Sequence, residues 1–326
     1  MDRRTFNGIV GALLLGCHHT ASAQQTDKVW RVGFLASGLR PADGSPPAPL
    51  RDELRTLGYA EGNIVYEGRW SGGRNERLGE LARELISRQV DVLVAFGSPA
   101  AEAMKQSTST IPIVVFNAGD MVDTGLVASL SRPGGNVTGV NDPAAVLSAK
   151  RLEILKELVP HAKRVAVLWN AQNYAMTLRY REIERAAQAT GMTIDPLGVG
   201  EPNDFDLAFA AMNRTRPDAL MMLTDAFTNL NRQRVLDYVG GQQIPAMYEF
   251  ATVVRAGGLI SYGSDQDDIF KLAAHYVAKV LKGAKPGDLP VEQPNRYFLV
   301  LNITTAKKLG LNVPQPLVLR VDEVVQ

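Results

Sequence analysis

The residues best placed to do chemistry in this sequence are mostly small and neutral, and they follow short apolar runs. Gly97-Ser98-Pro99-Ala100 comes after Val90–Phe96, and Asn117-Ala118-Gly119-Asp120 after Ile111–Phe116. Ser is a favoured N-cap and Pro a favoured first helical residue, so a helix is expected to begin here and include Ala100–Gln106. A helix N-terminus offers unpaired N–H groups and about half a positive charge, which suits an anion. Ser98 can equally be no more than the cap of that helix. Ser37 closes another such run, Val29–Leu35, and is a candidate for the same wall. Further along, Asn141 follows Val137–Val140, Asn170 follows Arg164–Trp169, Asp225 follows Ala219–Leu223, and Glu249 follows Pro245–Tyr248. An acidic side chain at such a point can receive an amino group that leaves water. Asp225 is equally suited to capping the helix after it, and Asn141 to touching only a hinge. Trp169, Tyr248 and Tyr262 fall beside these ends, where rings can sandwich a flat apolar ligand, whereas Phe96 and Phe116 read as core.

Other chemistries fit poorly. Gly97-Ser98-Pro99 is not a nucleophile elbow, and Pro99 lacks the N–H that an oxyanion hole would need there. Four His residues include His18 and His19 near the start, which leaves His161 and His275 away from the expected site and proposes no Ser-His pair. The single cysteine, Cys17, excludes an internal disulfide and a Cys-based metal site, and no cofactor is expected. Net charge is +1, with 45% apolar and 21% charged residues, which is ordinary for a globular protein and carries no nucleic-acid footprint.

The elements that must position these residues alternate between two kinds. β-branched apolar runs read as strands buried on both faces, and stretches such as Asn75–Arg88, with Leu78, Leu81, Leu85 and Ile86 on one stripe, read as helices. Successive β-loop-α units build parallel sheets, and ligands sit beyond the carboxyl ends of their strands. The first series runs from residue 28 to residue 141 and includes short helices at Leu50–Leu57 and Leu126–Leu130. After Asp142-Pro143 the order starts afresh, with a helix at Thr228–Tyr238 among others. Length, at 326 residues, agrees with two domains. The fold expected is therefore α/β, two Rossmann-like lobes with parallel sheets flanked by helices and joined by a hinge. Residues 28–141 with 264–288 are assigned to one lobe, and 142–263 with 289–326 to the other. Asp267–Lys282 reads as a long amphipathic helix, and Pro314 and Pro316 mark an irregular tail.

Residues 1–23 read as a signal peptide: Arg3-Arg4, the apolar Ile9–Leu15, and an A-x-A site at Ala21-Ser22-Ala23. The Arg pair also hints at twin-arginine export. Leu14-Leu15-Gly16-Cys17 offers the alternative of a lipoprotein anchored through Cys17. A periplasmic location is expected in either case.

Several long segments together resemble the family of ABC-transporter substrate-binding proteins that includes tryptophan- and tyrosine-binding members. They are GYAEGNIVYEGRW, RLGELARELISRQVDVLVAFGSPAAEAMKQSTSTIPIVV, GLVASLSRPGGNVTGV, VAVLWN, LKGAKPGDLPVEQPNRYFLVLNITTAKKLGL and the terminal VDEVV, with the Arg-Arg leader ending in AQQ. The resemblance implies a type I periplasmic-binding fold, a small-molecule ligand, an ABC permease in the membrane as partner, a monomer, and no enzymatic activity. It also implies that a ligand carboxylate meets Ser98 with Ala100 and Asn117 with Gly119. Departures from the family pattern lie in Pro41–Pro49 and around Tyr174 and Phe227, where pocket shape can change. A receptor that presents its solute to a sensor rather than to a permease is the alternative reading.

Overall fold

The structure, a computed structural model, describes residues 28–326, so the leader expected over residues 1–23, Cys17 included, lies outside the described residues. The first sheet consists of β1 (Trp30–Ala36), β2 (Ile64–Trp70), β3 (Val92–Phe96), β4 (Ile113–Gly119) and β5 (Val137–Asp142). All pair in parallel, in the order β2-β1-β3-β4-β5. Alternate residues of β3 serve opposite cores: Val92 and Val94 one, Leu93 and Ala95 the other. A strand covered on both faces needs apolar residues at every position, which is why it reads as an unbroken run. The helices α1 (Ala48–Thr56), α2 (Leu78–Ser87) and α3 (Ser98–Ser107) cover this sheet, α1 on the first face and the other two on the second.

The second sheet holds β6 (Arg164–Asn170), β7 (Thr193–Val199), β8 (Ala219–Met222), β9 (Ala246–Tyr248), β10 (Ile260–Ser264), β11 (Tyr297–Asn302) and β12 (Glu323–Val325). Its order is β12-β11-β10-β9-β8-β6-β7, and only the β10–β11 pairing is antiparallel. On one face lie α4 (Ala144–Leu158) and α5 (Tyr174–Thr190). On the other lie α6 (Asp204–Arg214), α7 (Ala226–Leu230), α8 (Arg232–Gly241) and α9 (Ala251–Arg255).

After β10 the chain returns to the first sheet as α10 (Gln266–Leu281). The Asp265 carboxylate caps it, accepting from the N–H groups of Asp267 and Asp268 at 2.8 and 3.2 Å. Ile269, Tyr276, Val277 and Leu281 of α10 share one core with Val32, Phe34, Val94 and Phe116. Burying a side chain of this size is worth roughly 1.5–3 kcal/mol, so the helix is a principal part of that core. Val291 still packs in the first lobe, and the Asn141 N–H donates to the Glu292 carbonyl at 2.8 Å. The chain then enters β11, followed by α11 (Ile303–Lys308) and α12 (Gln315–Val318).

Three local expectations fail. Leu126–Leu130 is not a helix: Gly125 has φ 71°, and the Lys105 ammonium binds the carbonyls of Gly125 and Leu126 at 2.5 and 3.2 Å. Thr228–Tyr238 is divided into α7 and α8 at Asn231, whose carboxamide donates to the Phe227 carbonyl. The tail is not irregular throughout, because α12 follows Pro314 and β12 adds to the edge of the sheet.

Candidate functional site

In an open parallel sheet the exits of two strands diverge where the order reverses, and this leaves a crevice. In the first sheet the reversal lies between β1 and β3, and in the second between β6 and β8. The two crevices face each other. Their exits line one cavity of about 430 Å3 including its mouth: Ser37, Gly97, Ser98, Asn117 and Phe96 from one side, Asn173, Thr224, Asp225 and Phe227 from the other. A second space of about 320 Å3 continues from Phe96, Asn117 and Asp225 towards Asn229, Phe250 and Gln266.

The first wall is built on Gly97, whose φ of 85° turns the chain from β3 into α3. An L side chain is strained there and glycine is not. Gly97, rather than Ser98, is the N-cap residue, and the Ser98 side chain makes no capping bond. Ser98 is 3% exposed and its Oγ is buried with no hydrogen-bond partner; the same holds for Ser37 Oγ and Thr224 Oγ1. A buried hydroxyl without a partner costs free energy. Three of them therefore converge on this cavity, drawn from both sheets. Asn117 has φ 55° at an irregularity in β4, where the register against β5 shifts between Val115 and Ala118. Non-glycine residues hold that conformation at a cost of order 1–3 kcal/mol, and such strain concentrates at functional sites.

The second wall is built on Asp225. Its Oδ1 accepts from the Thr228 N–H at 3.0 Å while Thr228 Oγ1 accepts from the Asp225 N–H at 2.9 Å, a capping box at the start of α7. Its Oδ2 accepts from the carboxamides of Asn170 and Asn173 at 2.7 and 3.0 Å. Asp225 thus caps a helix and also lines the cavity. Among the described residues no Lys, Arg or His forms an ion pair with it, and none lines either space. Phe96 stacks on Phe270 of α10 at 5.9 Å, and Met176, Phe227 and Phe250 complete the apolar lining. A larger depression of about 640 Å3 adjoins through Phe250 and Gln266. Its Arg255 and Glu323 bind each other, Nε to Oε1 at 2.9 Å.

Other expected residues lie elsewhere. Ala100 is fully buried in the first core. Asn170 stands behind Asp225, its Oδ1 accepting from the Gln172 N–H at 3.0 Å. Asn141 Oδ1 accepts from the Met121 N–H at 2.8 Å, and the residue lines a separate groove with Pro143 and Gln293. Tyr248 is 1% exposed in the second core, where burial pushes its phenol well above the usual value. Trp169 stacks on Tyr180 at 4.0 Å on the face covered by α4 and α5, and Tyr262 lies against Tyr297. The rings at the cavity are instead phenylalanines, Phe96 among them. Asn75, Asn173, Met176, Thr224, Phe250 and Gln266 were not singled out from sequence. Of these only Thr224, preceding Asp225 at a strand end, carried a local signal.

Glu249 sits in a buried cluster behind the second wall. Its Oε1 accepts from Arg151 Nη1 at 2.9 Å and Arg179 Nη1 at 3.1 Å, and its Oε2 accepts from the Thr224 N–H at 2.8 Å. The carboxylate is therefore already paired, which leaves it no role as a free ammonium receptor. Arg179 Nη2 continues to Asp142 Oδ2 at 3.0 Å. A Cβ at Gly119 would come within 2.6 Å of the same Nη2, so only glycine admits the guanidinium there. Burial works to lower both arginines. It prevails at Arg151 and is outweighed at Arg179 by Glu249 and Asp142, which hold that group above its usual value. Burial also raises the Asp120 carboxyl, against the opposing pull of Arg179.

Residues 48–325 match the family described as ABC transporter substrate binding protein. A tyrosine-binding protein of Clostridioides difficile (strain R20291) is 26% identical over 314 residues, covering 93% of this chain and 90% of that protein. The crystal structure of an ABC domain from Streptococcus pneumoniae in complex with L-Trp superposes with a TM-score of 0.85 at 25% identity, over 91% of this chain and all of the other. A glucose-galactose binding protein, GanP, from Geobacillus stearothermophilus shares the fold alone: TM-score 0.61 at 12% identity, over 84% of this chain and 98% of that one.

Proposed function

Because the chain belongs to the ABC transporter substrate-binding protein family, with a fold like that of type I periplasmic binding proteins, it is a solute-binding component and not an enzyme. We propose that its solute is an α-amino acid with an aromatic or branched side chain, bound between the lobes. The observation that carries this reading is the convergence of the unpartnered hydroxyls of Ser37, Ser98 and Thr224 on a cavity without a cationic side chain. A carboxylate there is held by neutral donors, the hydroxyls and the start of α3, so no buried Lys or Arg is needed. Asp225, already fixed by Asn170 and Asn173, receives the ammonium group. Phe96, Phe227, Phe250 and Met176 take the side chain. The tyrosine-binding relative and the L-Trp complex support the same class. The lobes close over the solute about the three passages at 142–143, 264–265 and 293–296, and an ABC permease recognises the closed form. The leader places this work outside the cytoplasm.

Thermal shift followed by calorimetry tests the reading, with L-tyrosine, L-tryptophan, L-leucine, deaminated aromatic acids, glucose and spermidine. A ligand at 100 times its Kd adds about 2.7 kcal/mol, a readily visible shift. Shifts from aromatic or branched amino acids are expected. A shift confined to glucose or spermidine would sink the proposal.

A further inference from the structure

The buried cluster behind Asp225 joins three parts of the molecule that are distant in sequence. Asp142 ends β5 and stands at the first passage between lobes. Arg151 Nε donates to the Tyr262 carbonyl at 2.7 Å, in the strand that leads to the second passage. Thr224, whose N–H is held by Glu249, lines the cavity beside Asp225. Arg179 connects them, with Nη1 on Glu249, Nη2 on Asp142, and its guanidinium against Gly119 of the first sheet. Both arginines, Glu249 and Asp142 are 5% exposed or less.

We propose that the chain Asp142–Arg179–Glu249–Thr224 couples the angle between the lobes to the Asp225 wall of the cleft, with Arg179 and Glu249 as its positioning residues. The direction of the coupling follows from charge. The second lobe supplies two cations, Arg151 and Arg179, and one anion, Glu249, an excess of one positive charge that Asp142 of the first sheet neutralises when the sheets meet. A buried cation that loses one partner is strongly disfavoured, and separation of the lobes hydrates it instead. The cluster is also incompletely satisfied, since Arg179 Nε, Asp142 Oδ1 and Asp120 Oδ2 are buried without hydrogen-bond partners. These unpaired atoms reduce the advantage of the closed arrangement, and a solute that makes contacts across the cleft adds to it. When Arg179 loses Asp142 and turns towards water, Glu249 loses its second cation and the Thr224 amide is released with it.

The proposal rests on the cleft as binding site but is read without ligand. Spin labels at Leu39→Cys and Tyr174→Cys, exposed positions on the first and second lobes, report the separation in the full chain with Cys17→Ser. Asp142→Asn is expected to move the ligand-free distances to longer values and to speed hydrogen exchange at the Thr224 amide about tenfold, although Asp142 does not touch Thr224. Dissociation of L-tryptophan or L-tyrosine is expected to accelerate about tenfold, with association little changed. Arg179→Lys, which keeps the charge but only one arm, is expected to do the same to a smaller degree, and it stands in if Asp142→Asn does not fold. Variants that only lower Tm, with unchanged distances and unchanged Thr224 exchange, would overturn the coupling. If neither amino acid shortens the distances in the wild-type background, the proposed solute fails, and the ligand-free comparison still decides the coupling.

Discussion

Ser98 and Asp225 face the same cavity but are held in opposite ways, and this separates their expected roles. Ser98 Oγ is buried without a partner, whereas the Asp225 carboxylate is oriented by two asparagines and a backbone N–H. Ser98→Ala removes one donor to a charged group and is expected to weaken every carboxylate ligand by about 1.5–3 kcal/mol without unfolding the protein. Asp225→Asn leaves carboxylate recognition intact and removes the charge that an ammonium group meets. It is expected to cost amino-bearing ligands about 2 kcal/mol or more and to leave deaminated analogues nearly unaffected. Calorimetry on an amino acid and its deaminated analogue checks both, and equal losses for the two ligands in Asp225→Asn would contradict the ammonium role. Both stand out in the sequence as candidates because each lies within three residues of a strand end. Glu249 was misread for a physical reason: its partners Arg151 and Arg179 are 98 and 70 residues away, so nothing local marks it as already paired.

At the scale of elements, the strands were readable and the loops were not. β3, and β6 between its polar ends Arg164 and Asn170, are unbroken apolar runs because parallel strands are covered on both faces. Which ring points into the cleft depends on strand parity and on what the facing lobe brings, and hence Trp169 was misplaced and Phe250 passed over. The start of β6 shows how such an element is tied down. Asp218, just before β8, accepts from the N–H groups of Lys163 and Arg164 at 2.7 and 2.9 Å. The Lys163 bond, the larger influence, and the Arg164 bond hold its carboxyl below the usual value against partial burial. A group with a depressed folded pKa stabilises above its unfolded pKa of about 3.9, and that contribution is lost as pH falls through the folded value. Asp218→Asn is therefore expected to lower Tm at neutral pH and to shrink the difference from wild type below about pH 4. A constant difference across pH would argue against the bond to the charged form.

For the molecule as a whole, two α/β lobes were legible from the repeated order of runs and breaks. The lining contributed by Asn75, Asn173 and Gln266 was not, because it exists only where one lobe meets the other. The return of α10 to the first sheet has a consequence for how the protein is assembled. A fragment ending at residue 142 contains every strand of that sheet yet lacks Ile269, Tyr276, Val277 and Leu281 from its core. Such a fragment is expected to show no cooperative melting transition, and linking residues 264–292 to it is expected to restore one. A sharp transition in the fragment alone would refute this. During synthesis, then, the half that emerges first waits for a helix encoded beyond the whole of the strands β6–β10. The ribosome delivers the lobes in one order and their cores are completed in another, so from residue 142 until α10 has emerged the nascent chain presents to its chaperones a sheet face that α1 covers only in part.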